Sequence, residues 1–323
     1  MPSLPDNLPN KLRIVFLGTP QFAAVCLEQL LESTHEIVGV VTAPDRPAGR
    51  GRSLKASEVK LVALNHNLPL AQPENLKDPS FHAVLDEWKA DLGVVVAFRM
   101  LPEAVWNRPR MGTVNLHGSL LPQYRGAAPI HWAVLNGETE TGASTFLLKH
   151  EIDTGHVLGN VTVPIGPENT TGQVHDRLLD AGKHLLVDTV NELAAGNAKP
   201  IPQDDLITPD MILKGAPKLF KEDGRIDWTQ NAQRIHNLVR GLNPFPCAWT
   251  TLPDGQTLRV HSSKLADVDW GGQPGSVRCS KDQLHVRCGD GTLELLRIQP
   301  QGKPPMSVKD FLNGLRSPLR TLG

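Results

Sequence analysis

Residues 113–129 read TVNLHGSLLPQYRGAAP, a β-type run followed by a loop that contains proline and glycine. The run over Thr113–His117 predicts a buried strand, and the loop then lies at the carboxyl end of that strand. In open α/β sheets, ligands bind outside the carboxyl ends of the strands. This stretch therefore indicates both a class of fold and the position of a functional site within it.

Similar apolar runs recur through the first two-thirds of the chain, for example at residues 13–17, 37–41 and 92–98. Helix patterns separate them, the first beginning with Thr19 as the capping residue and Pro20 at the first helical position. Short apolar strands that alternate with helices predict an α/β fold. We expect a Rossmann-like, doubly wound and mostly parallel sheet.

The pattern changes near residue 199. Residues 199–217 are rich in proline, aspartate and threonine and predict a linker. Residues 218–323 predict short strands with glycine turns, such as the hairpin signal Asp254-Gly255. A small OB-like β-barrel would hide the edges of such strands. We therefore predict one domain over residues 1–198, a linker, and an OB-like domain over residues 218–323.

The composition is ordinary for a globular protein, with 323 residues, 40% hydrophobic and 21% charged. No apolar run is long enough to cross a bilayer, and no secretory signal is visible. The four cysteines form no C-x-x-C pair, which argues against a zinc knuckle or a disulfide framework. We expect a cytoplasmic monomer with no metal and no membrane association.

Charge is distributed unevenly along the chain. Residues 211–323 carry 16 Lys and Arg against 10 Asp and Glu, although the whole chain has a net charge of −1. A basic second part suggests a polyanionic partner. A chance imbalance on a solvated surface is the alternative.

Three polar residues suggest acyl-transfer chemistry. Asn115 and His117 are two apart, so on a strand they point to the same face. An amide can donate to a developing oxyanion, and an imidazole can move a proton near neutral pH. Asp153 follows another β-type run and could orient His117. Taken singly, a buried structural histidine and an Asp-x-Gly turn are the simpler interpretations.

Taken together, these residues and their neighbours resemble the 10-formyltetrahydrofolate-dependent formyltransferases. The matching motif comprises Asn115-x-His117, Ser119-Leu120-Leu121-Pro122, Tyr124-Arg125-Gly126 and Asp153-Thr154-Gly155. The resemblance implies that Asn115 and His117 hold the formyl oxygen as the tetrahedral intermediate forms. It also implies that Asp153 pairs with His117 and helps to remove the proton of the amine.

The same resemblance implies a reduced folate, 10-formyltetrahydrofolate, as the formyl donor. The residues that would bind it are Phe98, Leu101, Ser119, Leu120, Leu121, Pro122 and Asp153.

Residues 44–55, PDRPAGRGRSLK, form a loop rich in arginine and glycine that could adapt to a phosphate backbone. This loop is similar to the tRNA-binding loop of those family members that formylate methionyl-tRNA, although a solvated mobile loop is the alternative. The residues implied to contact tRNA are Arg46, Arg50, Arg52, Lys55 and Lys60. Residues 18–22 are also similar, which implies that Phe22 lines the pocket for the methionyl side chain.

The resemblance therefore implies transfer of a formyl group from 10-formyltetrahydrofolate to the free amino group of methionyl-initiator tRNA, which gives N-formylmethionyl-tRNA for translation initiation. A sugar-nucleotide formyltransferase is the nearest alternative, but it should lack the arginine-rich loop.

Two other classes of protein fit less well. A dinucleotide-dependent oxidoreductase would need G-x-G-x-x-G where this chain has Gly18-Thr19-Pro20. A tRNA-binding protein without activity would not need Asn115, His117 and Asp153.

A metal site at His150, Asp153 and His156 fits no common zinc spacing.

Overall fold

The computed structural model describes residues 11–48, 53–315 and 317–323. The strands are β1 (Arg13–Gly18), β2 (Glu36–Val41), β3 (Arg46–Ala48), β4 (Ser53–Lys55), β5 (Leu70–Ala71), β6 (Leu92–Val96), β7 (Thr113–His117), β8 (Arg125–Gly126), β9 (Glu140–Leu147), β10 (Val157–Pro164), β11 (Gly215–Ala216), β12 (Ala248–Thr251), β13 (Thr257–Ala266), β14 (Val277–Cys279), β15 (Leu284–Arg287), β16 (Thr292–Pro300) and β17 (Met306–Ser307). The α-helices are α1 (Gln21–Leu31), α2 (Glu58–Asn65), α3 (Pro79–Trp88), α4 (Glu103–Trp106), α5 (Pro129–Leu135), α6 (Thr171–Ala194), α7 (Ala232–Gly241) and α8 (Val308–Asn313). Within the described ranges, no helix combines the length and apolar character needed to cross a membrane.

The first sheet has seven strands in the order β10-β9-β7-β6-β1-β2-β5. Neighbouring strands from β7 to β5 are parallel, whereas β9 runs antiparallel to β7. All five residues of β6 are buried, as expected for a strand that is covered on both faces. The prediction of a Rossmann-like, mostly parallel sheet is confirmed.

The first helix begins differently from the prediction. Pro20 itself is the N-cap residue of α1, and no side chain hydrogen-bonds to the first turn. The prediction of Thr19 as the cap is therefore wrong. Because proline has no backbone N–H to satisfy, the helix can begin after Pro20 without a polar cap.

The chain forms two compact units, each assembled from several segments. The first contains the described residues up to 125 together with 142–162 and 177–214, and the second contains 126–141, 163–176 and 215–323. The domain boundaries predicted at residues 198 and 218 concern which parts fold independently. They stay a prediction, because compactness of the folded chain does not measure independent folding.

The second unit is built around an antiparallel sheet with the order β12-β13-β16-β15-β14, to which β17 adds by pairing with β16. The last residues connect its two edges. Thr251 exchanges two backbone hydrogen bonds with Gly323 beside β12, and Ser276 bridges to Thr321 beside β14. The expected small OB-like barrel is thus confirmed, with the last four residues joining its edge strands.

The core of this barrel is apolar and fully buried. Its members come from α7 and from the inward faces of the strands, and include Ile235, Leu258, Val260, Leu284 and Leu295. α8 packs against this core through Val308 and Phe311. It begins with a side-chain cap, because the Ser307 hydroxyl oxygen accepts from the backbone N–H of Asp310 at 3.1 Å. The apolar residues of the strands therefore face the core of the barrel, and the residues between them face outward.

Residues 199–217 are more ordered at their start than a linker would be. A short 3₁₀ helix, Gln203–Leu206, follows Ile201, which pairs with Val157 at the start of β10. Gln203 is 3% exposed. Further on, Ile212 is 78% exposed and its neighbours 207–210 are also exposed. The segment therefore has a fixed half and an exposed half.

We expect limited proteolysis with subtilisin to cut first between residues 207 and 213, because nicking requires exposed backbone that can adapt to the protease. The bonds around Gln203 should resist cleavage for longer. Mass spectrometry of the earliest fragments measures both. Early cleavage between residues 199 and 206 would contradict the ordered 3₁₀ helix.

Candidate active site

The carboxyl end of β7 carries the first two predicted site residues. Asn115 lies between Val95 of β6 and Phe146 of β9 in the sheet register, and its side chain is half-buried. Within residues 11–48, 53–315 and 317–323, no hydrogen bond to its side-chain amide occurs. A polar amide at the edge of a buried strand therefore remains available to a ligand.

His117 ends β7 and is 7% exposed. Its Nε2 lies 2.9 Å from the carbonyl oxygen of Tyr124. A carbonyl oxygen can only accept, so Nε2 carries the proton and donates it to Tyr124. In the neutral ring, the lone pair is then on Nδ1. The edge of the ring also packs against Phe146, with 6.4 Å between the ring centres.

Asp153 approaches His117 from the loop after β9. Its Oδ2 lies 3.9 Å from Nδ1 of His117, and its side chain is 14% exposed. The two atoms are too far apart for a direct hydrogen bond but close enough for a strong charge interaction when the ring is protonated. Asp153 has φ of 54°, a left-handed conformation that costs free energy for a residue other than glycine. The surrounding loop must therefore hold it in place.

Hydrogen bonds from two serines fix the backbone of the loop after β7. Ser144 of β9 donates to the carbonyl oxygen of Ser119 at 2.7 Å and accepts from the backbone N–H of Leu121 at 3.0 Å. Ser119 in turn donates to the carbonyl oxygen of Gln123 at 2.6 Å. Ser119, Leu121 and Pro122 are all buried. In the structure these residues shape the loop around His117, and their predicted contacts with folate stay a prediction.

A cavity of about 920 Å³ opens between α4, the end of β9 and the residues around Gln203. It is lined by residues that directly precede β7, and its described lining does not include Asn115, His117 or Asp153. Its apolar wall includes Trp106, Met111 and Leu148, and Arg110 and Lys149 add positive charge. Thr154 of the Asp153 loop also lines it. Motif spacing does not predict this cavity, because only the fold brings α4 next to the end of β9.

Phe98 and Leu101, which were predicted for folate, pack against an apolar cluster behind β1 and β6 that includes Val15 and Val105. Leu148 contacts the same cluster and also lines the cavity. Phe22 is half-buried in α1. The proposed roles of these side chains in ligand binding stay predictions.

The arginine-rich loop contains a small hairpin of β3 and β4. Arg46 and Lys55 lie directly opposite each other in its register, and both are exposed. Like charges that face each other across a hairpin are destabilising, and the carboxylate of Glu58, 3.5 Å from Nζ of Lys55, offsets part of this cost. Arg50 and Arg52 lie outside the described residues.

Lys60, another predicted tRNA contact, lies in α2 and pairs with Asp45, the residue before the hairpin. Its Nζ lies 2.6 Å from Oδ2 of Asp45, and Gln72 donates to Oδ1 of Asp45 at 2.9 Å. The hydrogen bond from Lys60 holds the pKa of the Asp45 carboxyl below its usual value. Lys60 therefore anchors the residue that precedes β3, and any contact with tRNA would be an additional role.

The histidines around Asp153 have other partners. Nδ1 of His150 lies 3.5 Å from a carboxylate oxygen of Glu103, and Nε2 of His156 lies 3.1 Å from Nζ of Lys149. In the described ranges, no group of three or more His, Cys, Asp or Glu is arranged to hold a metal ion.

Two family profiles match the chain. One, described as formyl transferase, covers residues 12–190, and one, described as formyl transferase, C-terminal domain, covers residues 218–316. The chain is 50% identical to the methionyl-tRNA formyltransferase of Bacteroides fragilis over 308 residues, which is 94% of this chain and 95% of that one. It is 48% identical to the enzyme of the same name from Bacteroides thetaiotaomicron over 310 residues, 94% of this chain and 96% of that one.

Solved structures show the same fold at low identity. HypX from Aquifex aeolicus, in complex with tetrahydrofolic acid, has a TM-score of 0.63 and 18% identity, covering 96% of this chain and 50% of its own. This chain thus spans about half the length of HypX. The sugar 3N-formyl transferase WlaRD, in the presence of dTDP and 5-N-formyl-THF, has a TM-score of 0.63 and 17% identity, covering 91% and 99%.

The sheet, the strand-end site and the two matched domains define a formyl transferase. The relatives that are about 50% identical over nearly the whole chain show which group of formyl transferases it is. The chain belongs to the methionyl-tRNA formyltransferase family.

We expect Gly155→Ala to destabilise the protein and to reduce activity, because a Cβ at this position would lie 1.6 Å from the carbonyl oxygen of Leu147. Overpacking of this kind typically costs about 1–3 kcal/mol. Gly215→Ala is the matched control, since no heavy atom lies within 4 Å of its added Cβ. Thermal unfolding and steady-state turnover measure both variants. Equal behaviour of the two would contradict the tight packing of the Asp153 loop.

Proposed function

We propose that the protein transfers the formyl group of 10-formyltetrahydrofolate to the α-amino group of methionyl-initiator tRNA. The single observation that carries this proposal is the cluster of Asn115, His117 and Asp153 at the end of β7, in a chain half identical to named methionyl-tRNA formyltransferases. A folate donor is supported by the family and by a fold neighbour that was solved with tetrahydrofolic acid.

The cavity adjoins the Asp153 loop through Thr154. Its volume of about 920 Å³ falls in the usual range for small-molecule sites, and Trp106 and Leu148 form its apolar wall. Its charged lining residues have both signs, so its charge does not select an anionic ligand; they are Arg110, Lys149, Glu151 and Asp204. The folate supplies the formyl group as an activated acyl donor. The remaining chemistry belongs to the side chains of the chain itself.

In this proposal, Asn115 stabilises the negative charge that develops on the formyl oxygen when the amine attacks. Its amide is half-buried and has no hydrogen-bond partner among the described residues, so it is free to donate. A donor that is fixed by the sheet needs no reorganisation during the reaction, which is the basis of oxyanion stabilisation.

His117 acts through Nδ1, because Nε2 already donates to Tyr124. With the lone pair on Nδ1, the neutral ring can accept a proton, and the resulting imidazolium is stabilised by Asp153 at 3.9 Å. The positive ring also favours negative charge on a nearby formyl oxygen. Asp153 assists removal of the proton from the attacking amine by orienting His117, in the manner of the acid residue of a catalytic triad. When the tetrahedral intermediate collapses, the bond between the formyl carbon and the folate nitrogen breaks, and a proton passes to that nitrogen as tetrahydrofolate leaves.

The distribution of positive charge supports tRNA as the acceptor. Arg46 and Lys55 are exposed cations that face each other on the hairpin, and phosphate groups would interact favourably with them. Residues 211–323 carry 16 basic against 10 acidic residues and form most of the barrel unit. A barrel with an excess of positive charge suits binding to a nucleic acid.

We expect Asn115→Ala to lower kcat about 100- to 1,000-fold, as is typical when one oxyanion donor is removed. The KM values for folate and tRNA should change much less, because the hydrogen bond strengthens mainly in the transition state. Asp153→Asn should be at least as harmful. Asn313→Ala, at the exposed end of α8, is the matched control. Formylation of charged initiator tRNA by the purified variants, at saturating substrates, measures the effect. Near-normal turnover of Asn115→Ala would remove its proposed role.

We expect the double variant Arg46→Gln, Lys55→Gln to raise the KM for methionyl-tRNA and to weaken its salt dependence. Each lost phosphate contact should reduce the slope of log affinity against log salt by roughly 0.7–0.9. The KM for folate should stay unchanged. The control Lys77→Gln, Lys89→Asn removes the same charge from exposed positions of the first unit outside the hairpin.

Steady-state kinetics at several salt concentrations, with tRNA and folate varied separately, compares the two double variants. If both gave the same KM and slope, the hairpin would not bind tRNA. A sugar-nucleotide amine offered as acceptor in the same assay tests the alternative acceptor, and its formylation in preference to tRNA would overturn the proposed function.

A further inference from the structure

The side chain of Gln203 uses its whole hydrogen-bonding capacity in one place. Its Nε2 donates to the carbonyl oxygen of Asp153 at 2.8 Å and to that of Gly155 at 2.7 Å. Its Oε1 accepts from Nε of Arg125 at 2.9 Å and from Nη2 of the same residue at 2.7 Å. An amide has two donors and two acceptor sites, so all four are satisfied. The residue is 3% exposed.

These four hydrogen bonds join the two loops that contact His117 from opposite sides. Arg125 directly follows Tyr124, whose carbonyl oxygen takes the proton of Nε2. Asp153 faces Nδ1 from the other side. Gln203 therefore links the carbonyl oxygen of Tyr124, which determines the protonated nitrogen of His117, to the carboxylate of Asp153, which stabilises the positive charge of the ring.

We propose that Gln203 is a positioning residue for formyl transfer, acting through the carbonyl oxygens of the Asp153 loop and through Arg125. This inference rests on the proposed function of the His117–Asp153 pair. The buried amide of Gln203 comes from a segment whose sequence predicts a linker. It hydrogen-bonds to both loops that contact His117.

The Asp153 loop depends on such an anchor for two reasons. Asp153 has φ of 54°, which persists only where surrounding contacts require it. Two of the loop's carbonyl oxygens also point at the buried amide of Gln203, and without it they would lose their partner. A relaxed loop would move the carboxylate away from Nδ1, where the separation of 3.9 Å is already at the limit of close pairing.

The test uses Gln203→Met, which keeps the length and loses all four hydrogen bonds, and Gln203→Glu, which keeps the acceptors for Arg125 and loses the donors. Both should lower kcat about 10- to 100-fold, since small displacements of a reacting group have effects of this size. The KM for tRNA and folate should change less than about threefold, because the amide of Gln203 uses all its hydrogen-bonding groups within the chain. Gln173→Met, at an exposed position of α6, is the matched control.

A double-mutant cycle separates positioning from general stability. In the Asp153→Asn background, Gln203→Met should cause little further loss of kcat, because both changes disable the same carboxylate. A merely structural role predicts that the two losses multiply. The ¹⁵N shift of His117 Nδ1, followed by NMR, should also change in Gln203→Met and not in Gln173→Met.

The outcomes distinguish this inference from the proposed function. If the wild-type protein formylates methionyl-tRNA and both Gln203 variants keep full kcat, or if the losses multiply in the cycle, the inference is wrong. If the wild-type protein does not formylate methionyl-tRNA, the proposed function fails, and the His117 Nδ1 shift alone decides whether Gln203 positions the pair. If Gln203→Met does not fold, Gln203→Glu carries the kinetic test, since it keeps the interaction with Arg125.

Discussion

The arrangement of the site depends on one constraint: β7 is buried between β6 and β9, so its polar groups can meet a ligand only at its carboxyl end. Asn115 and His117 lie on one face of the strand at that end. The two loops that complete the site, after β7 and after β9, start from neighbouring strands of the same sheet. A mostly parallel sheet thus holds Asn115 and His117, and the loop after its antiparallel neighbour β9 brings Asp153 to them.

Burying such polar loops has an energetic cost that the protein offsets with specific hydrogen bonds. His117 donates to Tyr124, Ser144 holds the backbone of Ser119 and Leu121, and Gln203 holds the Asp153 loop. A buried polar group without a partner would cost about 1–3 kcal/mol. The same bonds that satisfy the backbone also determine which nitrogen of His117 carries the proton. Stability of the loops and orientation of the His117 ring therefore depend on the same hydrogen bonds.

The charges of the chain have two different uses. Lys60 lies in a partly buried pair with Asp45 and stabilises the start of the hairpin. Arg46 and Lys55 are exposed and face each other across the hairpin, and Lys55 also pairs with Glu58. A cation in the sequence is thus not by itself evidence of a phosphate contact. Its partners in the folded chain decide whether it supports the loop or stays exposed to solvent.

The sequence by itself determined the alternation of strands and helices, the change to short strands after the linker, and the positions of Asn115, His117 and Asp153, because periodicity and motif spacing are local properties. It was wrong about Thr19, since local propensity does not decide which residue begins a helix. Only the tertiary structure decided the contacts that Gln203 and Lys60 make and the position of Trp106 in the cavity wall. Each depends on a partner far along the chain, such as Asp153 for Gln203, 50 residues away. Spatial proximity between distant segments is created by packing of the sheet and its loops, and no local pattern encodes it.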